Sequence, residues 1–384
     1  MDEIKKIAII GASYLQEPLI RKAQSMGLKT IVFAWKVGDI GEKIADKFYP
    51  ISIVEKEKIL EICQNEKISG ICSIASDLAS ITVNYVANAM GLIANSLEST
   101  YLSTNKHLMR EAFEKNNDPS PKSILIKNSK DERLKYLKYP LIVKPVDRSG
   151  SRGITKIDAV ANLSDAIEVA KKVSFTNEVL VEEFVDGKEY SVEYVSVEGI
   201  HHFLNITEKL TTGAPHFIEI GHIEPADLPD SIKQKIKKIV PHALDSLKVK
   251  NGASHTELKI SSDGEIKLIE IGARMGGDFI GSDLVELSTG FDFVAAVIKV
   301  ALGESINFEK KRNGFSGVRF IMNKEDACDV RKIIEENHNN IVKYQIDDNL
   351  SEEVIDSSSR HGYCVFKANS LEEILSFMPK EEEK

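Results

Sequence analysis

Cysteine is scarce, and the four present, Cys63, Cys72, Cys328 and Cys364, lie far apart with no CxxC pair. That spacing argues against a zinc knuckle or a dithiol redox centre and reads as buried free thiols. Long apolar runs are missing too: FVAAVIKVAL is broken by Lys299 and falls well short of the ~20 residues a membrane-crossing helix needs. The start, MDEIKKIAIIGAS, shows no basic segment leading into a long apolar core with a small-residue cleavage site, so a cytoplasmic protein is expected. Positive charge is in deficit, with 50 Lys and Arg against 59 Asp and Glu and a net charge of -9, which disfavours a general affinity for nucleic acid or anionic membranes. The first turn, GASYLQEP, holds one glycine where a dinucleotide fingerprint needs GxGxxG. There is no GKS or GKT, no internal repeat, and no biased segment beyond the terminal PKEEEK.

What is present is an ordinary globular composition, 42% hydrophobic and 28% charged over 384 residues, enough for two or three domains. Residues 1–99 alternate strand-like runs (KIAIIG, KTIVFA, ISGICSIA) with helical ones, which predicts a doubly wound parallel sheet. Residues 100–309 open on a helix, STNKHLMREAFEKNN, for which Ser103 or Thr104 is the candidate cap, and then turn strand-rich, predicting an α+β domain with a subdomain near 120–188. Residues 310–384 read as a small α+β segment. The expected class is α/β plus α+β.

Within PLIVKPVDRSGSRGI, Lys144 follows Leu141, Ile142 and Val143 on a strand whose neighbours are to be buried. A buried ammonium needs an anion, since leaving it unpaired costs several kcal/mol. The loop behind it supplies glycines, hydroxyls and two guanidiniums, a set suited to phosphate oxygens. Because GITKID continues as a strand, the segment predicts a glycine-rich hairpin flap rather than a loop opening a helix.

A second constellation lies in TELKISSDGEIKLIEIGAR. Asp-Gly is a strong two-residue hairpin signal, and a turn at Asp263 and Gly264 sets Glu257 opposite Glu270, His255 opposite Gly272 and Ala253 opposite Arg274. Facing carboxylates repel unless neutralised, and a hard divalent cation, Mg²⁺ or Mn²⁺, is the natural neutraliser beside phosphates. His201, His202, His216 and His222 show no ligand spacing, though His216 in TTGAPHF sits where a loop can meet substrate.

The order of these features, Lys106, VKP with its glycine loop, VEEFVDGKEYSVE, then the paired TELKI and IEIGAR, resembles the ATP-grasp superfamily, in particular its carboxylate-amine ligases. The resemblance implies an N-terminal pre-grasp sheet, a central ATP-grasp domain with a flexible lid, and ATP with Mg²⁺ as cofactors. It implies phosphate binding by Lys106, Lys144 and the loop Ser149, Gly150, Ser151, Arg152 and Gly153, with the backbone of Glu182, Glu183, Phe184 and Val185 at the adenine edge and Glu189 on the ribose. It further implies Glu257 and Glu270 as metal ligands and Arg274 on the reacting acyl phosphate. Beyond Arg274, Gly276 and Gly277 allow close backbone approach, and a helix start at Ser282 suits an anion.

One position departs from the pattern: the family commonly has asparagine two residues after the second metal-binding glutamate, where this chain has Gly272. The expectation is a weaker second metal site, with the His255 ring leaning into the vacated space to meet a metal-bound water or substrate. The implied partners are a small carboxylate and an amine, with a homodimer compatible with the family. A purine-pathway or biotin-carboxylase-like enzyme using bicarbonate or formate, or a non-catalytic nucleotide-binding regulator, are the alternative readings.

Overall fold

The computed structural model describes residues 4–150, 152–214 and 217–379. Ser151 and His216 lie outside the described residues.

Near the N-terminus, β1 (Lys6–Ile10), α1 (Glu17–Ser25), β2 (Lys29–Ala34), α2 (Ile40–Ile44), β3 (Lys47–Pro50), α3 (Lys56–Glu66), β4 (Gly70–Cys72) and α4 (Asp77–Met90) build an all-parallel sheet of order β3-β2-β1-β4. Strands β1, β2 and β4 are mostly buried apolar runs because both faces are covered, whereas the edge strand β3 has no buried residue. Ile7, Ile9 and Val32 pack with Leu19, Ile20 and Ala23 of α1 on one face, while Ala8, Ile10, Ile31 and Phe33 pack with Ile59 of α3 and Ala79 and Val86 of α4 on the other.

Two helices follow where the sequence predicted one. α5 (Leu97–Thr104) ends at Asn105, and Asn105 caps α6 (Lys106–Asn116), its side chain accepting from the amides of His107 and Leu108 at 3.0 and 3.1 Å. Ser103 and Thr104 are not caps, because their hydroxyls bond back to carbonyls one turn earlier in α5.

A four-stranded antiparallel sheet comes next, with β5 (Ser123–Ile126), β6 (Leu141–Pro145), β7 (Thr155–Ile157) and β8 (Val179–Glu183) in the order β5-β8-β6-β7, and α7 (Leu163–Val173) packed on it. The remaining strands, β9 (Lys188–Val197), β10 (Ile200–Thr211), β11 (Glu219–Glu224), β12 (Gly252–Ile260), β13 (Ile266–Gly272), β14 (Phe315–Phe320), β15 (Ile341–Ile346) and β16 (Gly362–Ala368), form one antiparallel sheet of order β13-β12-β9-β10-β11-β14-β16-β15. The strands after residue 310 therefore continue the central sheet through the β11–β14 pairing. Helices α8 (Asp230–Ser246), α9 (Val285–Thr289), α10 (Phe293–Leu302), α11 (Lys324–Glu336) and α12 (Leu371–Phe377) complete the chain, and α10 packs back on the N-terminal sheet. Cys63, Cys72 and Cys364 are buried free thiols as expected, but Cys328 is exposed on α11. Among the described residues no helix is long and apolar enough to cross a membrane.

Candidate active site

Lys106 is the first residue of α6, and its amide donates to the Val146 carbonyl at 2.9 Å, which ties the helix start to the end of β6. Its ammonium reaches the Arg148 carbonyl at 2.7 Å and Glu270 Oε1 at 2.8 Å. One helical turn on, on the same face, Arg110 holds Glu182 at 3.0 Å. Lys144 of β6 pairs with the other oxygen of that carboxylate, and all three groups are buried. Burial pulls the Lys144 ammonium below the ordinary lysine range, and Glu182 only partly offsets it. Burial opposes ionisation of Glu182, but Arg110 and Lys144 outweigh it and hold the carboxyl below its usual range. Lys144 thus has an internal partner.

Lys106, Lys144, Arg148, Glu182 and Glu270 line a cleft that opens to solvent. Ile142, Ile154, Phe184, Phe217 and Ile269 make its apolar end, with Lys259 and Lys156 over the Phe184 ring at 4.9 and 4.5 Å. Glu182, Glu183, Phe184, Val185 and Glu189 all line it. The amides of Glu183 and Phe184 already donate to the Lys122 and Pro140 carbonyls, at 3.0 and 2.9 Å, which leaves Val185 as the next amide along. Ser149 and Gly150 of the loop line the cleft, and Gly150 adopts a left-handed φ of 71°. Arg152 is exposed and lies away from it, and Gly153 packs against Val173 of α7.

On the opposite wall Glu257 faces Glu270 and His255 faces Gly272. The expected register holds at the site, but not by the expected turn. β12 and β13 close through a loop from Ser261 to Glu265, with the Ser261 amide donating to the Glu265 carbonyl at 3.0 Å, and this offsets the register by one. A β-bulge at Ile269 takes up the offset before Glu270. The expected pairing of Ala253 with Arg274 does not form, because β13 ends at Gly272. Lys209 of β10 neutralises this wall, reaching Glu257 at 2.6 Å, Glu189 at 3.0 Å and Glu219 at 3.5 Å. Burial opposes its charge, yet the three carboxylates hold the ammonium well above the ordinary range, and Lys209 and His255 overcome burial at Glu257 to hold that carboxyl well below.

His255 sits between two carboxylates, with Nδ1 bonded to buried Glu193 and Nε2 3.5 Å from Glu257. It does not lean into the space at Gly272. That space holds the guanidinium of Arg274, which donates from Nε and Nη2 to the two oxygens of Asp77, at 2.9 and 3.0 Å. Burial opposes both charges, but the pairing raises Arg274 and lowers Asp77.

Three expected substrate contacts are placed elsewhere. A Cβ at Gly276 would lie 2.7 Å from His255 Nδ1, so this glycine admits the histidine rather than a ligand. Gly277 faces Ala75. Ser282 lies in the middle of a π-helical turn, Ile280–Leu284, with its hydroxyl bonded to Asp283, so it is no helix start.

Arg110, Lys209, Glu193 and Asp77 were missed in the sequence. Arg110 was findable by its spacing of four from Lys106, and Asp77 by its place after a parallel strand, where open α/β sheets bind ligands. Lys209 and Glu193 carry no local signal, because pairing between β9, β10 and β12 sets their roles.

The model of the ATP-grasp domain matches residues 137–283. Alanine–anticapsin ligase of Bacillus subtilis (strain 168) is 28% identical over 300 residues, 69% of this chain and 64% of that protein. D-alanine–D-alanine ligase of Flavobacterium johnsoniae is 34% identical over 151 residues, 38% of this chain and 46% of that protein. This chain therefore spans less than two thirds of the length of either relative. The crystal structure of an L-amino acid ligase from Bacillus licheniformis superposes with a TM-score of 0.82 at 24% identity, over 98% of this chain and 96% of that one, a likeness of fold.

Proposed function

We propose that the chain, whose residues 137–283 match the ATP-grasp domain model, is an ADP-forming carboxylate-amine ligase, in which an acid such as an amino acid is activated by ATP and coupled to an amine. The observation that carries the reading is Glu257 facing Glu270 across one cleft with Lys106, Lys144 and Arg274. The names of the Bacillus subtilis and Flavobacterium johnsoniae relatives support an amino acid as the acid.

The donor set fits a hard cation. Glu257 and Glu270 offer carboxylate oxygens from adjacent strands, their ion-pair partners among the described residues are lysine and histidine, and phosphate oxygens and water can complete the shell of Mg²⁺ or Mn²⁺. Bound there, the ion would screen phosphate charge and polarise the γ-phosphoryl group. The chain's own part is positioning and charge. The Phe184 and Phe217 rings with Ile142 and Ile269 make an apolar slot for the base, and Glu189 reaches the ribose. Lys106 and Lys144 turn from Glu270 and Glu182 to the phosphates. The acid's carboxylate attacks the γ-phosphorus and ADP leaves; the two uncommitted guanidinium N–H groups of Arg274 face the acyl phosphate, whose carbonyl carbon the amine attacks, releasing phosphate and a proton as the amide forms.

The test is ADP release by purified protein across a panel of acids and amines that includes bicarbonate. Release that requires one acid together with one amine supports the ligase. Release with bicarbonate alone would favour a carboxylase-like reaction, and nucleotide binding without release a regulator.

A further inference from the structure

Arg274 has five N–H donors, and three are in use: Nε and Nη2 on the two oxygens of Asp77, and Nη1 on the Met275 carbonyl at 3.3 Å. One hydrogen on each terminal nitrogen remains, and Arg274 lines the cleft beside Glu270 and His255. A bidentate carboxylate pair fixes the guanidinium plane as well as its place, and both side chains are mostly buried, at 14% and 17% exposure. A lone arginine on a turn would carry considerable rotamer freedom, which the Asp77 fork removes.

Asp77 comes from another part of the fold. It is the first residue of α4, whose cap Ser76 accepts from the Ala79 amide at 3.2 Å, at the carboxyl end of β4 in the N-terminal sheet. The same crossing has a backbone link, the Ala75 amide to the Met275 carbonyl at 3.2 Å. The fork also requires room. A Cβ at residue 272 would lie 2.9 Å from Asp77 Oδ1 and 3.1 Å from Arg274 Cζ, so no side chain at that position is compatible with the pair as it stands.

We propose that Asp77 is a positioning residue that aims Arg274 into the cleft, and that Gly272 is the clearance this pairing requires. The N-terminal sheet thereby sets the orientation of the arginine, and a glycine that gives up a side-chain oxygen beside the metal-binding glutamates gains a fixed guanidinium. The proposal deepens the ligase reading and rests on it for the role of Arg274.

Two double-mutant cycles test it, one kinetic and one thermodynamic. In the kinetic cycle, Asp77→Ala lowers kcat for acid- and amine-dependent ADP release about 10²-fold while ADP affinity by calorimetry stays within about twofold, and adding it to Arg274→Ala slows the enzyme no further. A purely structural ion pair would not separate kcat from nucleotide affinity. Equal losses in both, or full additivity with Arg274→Ala, overturn the positioning role. In the urea-unfolding cycle, Gly272→Ala lowers the midpoint of the wild-type protein, and at least half of that loss disappears in the Asp77→Ala background, where the fork is gone. The same loss in both backgrounds overturns the clearance. Absence of ADP release with every acid and amine would sink the ligase reading and the kinetic role with it, while the unfolding cycle would still decide the pairing.

Discussion

Lys144 and Arg110 grip one carboxylate, Glu182, and only Lys144 faces the cleft. Replacing either leaves Glu182 one cation, so the two variants separate ligand binding from internal charge balance. Lys144→Met is expected to weaken ATP binding by tenfold or more, the loss of a charge-assisted contact of about 1.5–3 kcal/mol. Arg110→Met should lower stability with a much smaller effect on nucleotide affinity. Calorimetry and urea unfolding on both proteins check this, and equal losses of affinity would contradict it. Glu224 makes a second residue-scale case. It is fully buried, accepts from Thr207 and Ser288 at 2.8 and 2.9 Å, and burial raises its pKa to about 8 against the opposing hydroxyl bonds. The unfolded chain loses this proton near 4.5 and the folded one near 8, so between those values the folded state binds more protons and stability falls as pH rises, by up to about 1.4 kcal/mol per unit. Glu224→Gln should flatten that fall between pH 5 and 8 in urea titrations, and an unchanged slope would contradict the assignment.

Helix ends and turns carried most of what the sequence did not disclose. The run STNKHLMREAFEKNN is helical on both sides of Asn105, and no apolar break marks the join, so Ser103 and Thr104 looked like the cap. Between α5 and α6 the chain leaves helical backbone at Asn105, with φ -116° and ψ 113°, which sets Lys106 at a helix start facing the cleft. Asn105→Ala should therefore cost about 1 kcal/mol of unfolding free energy, whereas Thr104→Ala should cost far less. Equal costs in urea unfolding would contradict the assigned cap. The hairpin taught a related lesson. Period-two alternation made Glu257 and Glu270 legible as facing residues, but the loop from Ser261 to Glu265 and the bulge at Ile269 were not, because their offsets cancel at the site. The Arg110 Nη2 bond to the Ile269 carbonyl, at 2.7 Å, anchors that bulge from a distant helix.

At the scale of the whole molecule, the cleft is built where the small antiparallel sheet, the central sheet and α6 converge, and α4 of the N-terminal sheet adds Asp77 at its edge. The parallel sheet and the strand-rich middle were legible because continuous apolar runs and alternating ones bury differently. The partners of Arg274 and His255 were not, since Asp77 and Glu193 reach them from sequence distances of 197 and 62 residues. Most of the groups gathered there are already paired with one another, so the proposed chemistry requires exchanging internal partners for a nucleotide and an acid. The most direct test of the central claim is transfer of label from an acid whose carboxylate carries ¹⁸O. An acyl phosphate intermediate predicts one ¹⁸O in the inorganic phosphate released for each amide bond formed. Amide formation with unlabelled phosphate would contradict it.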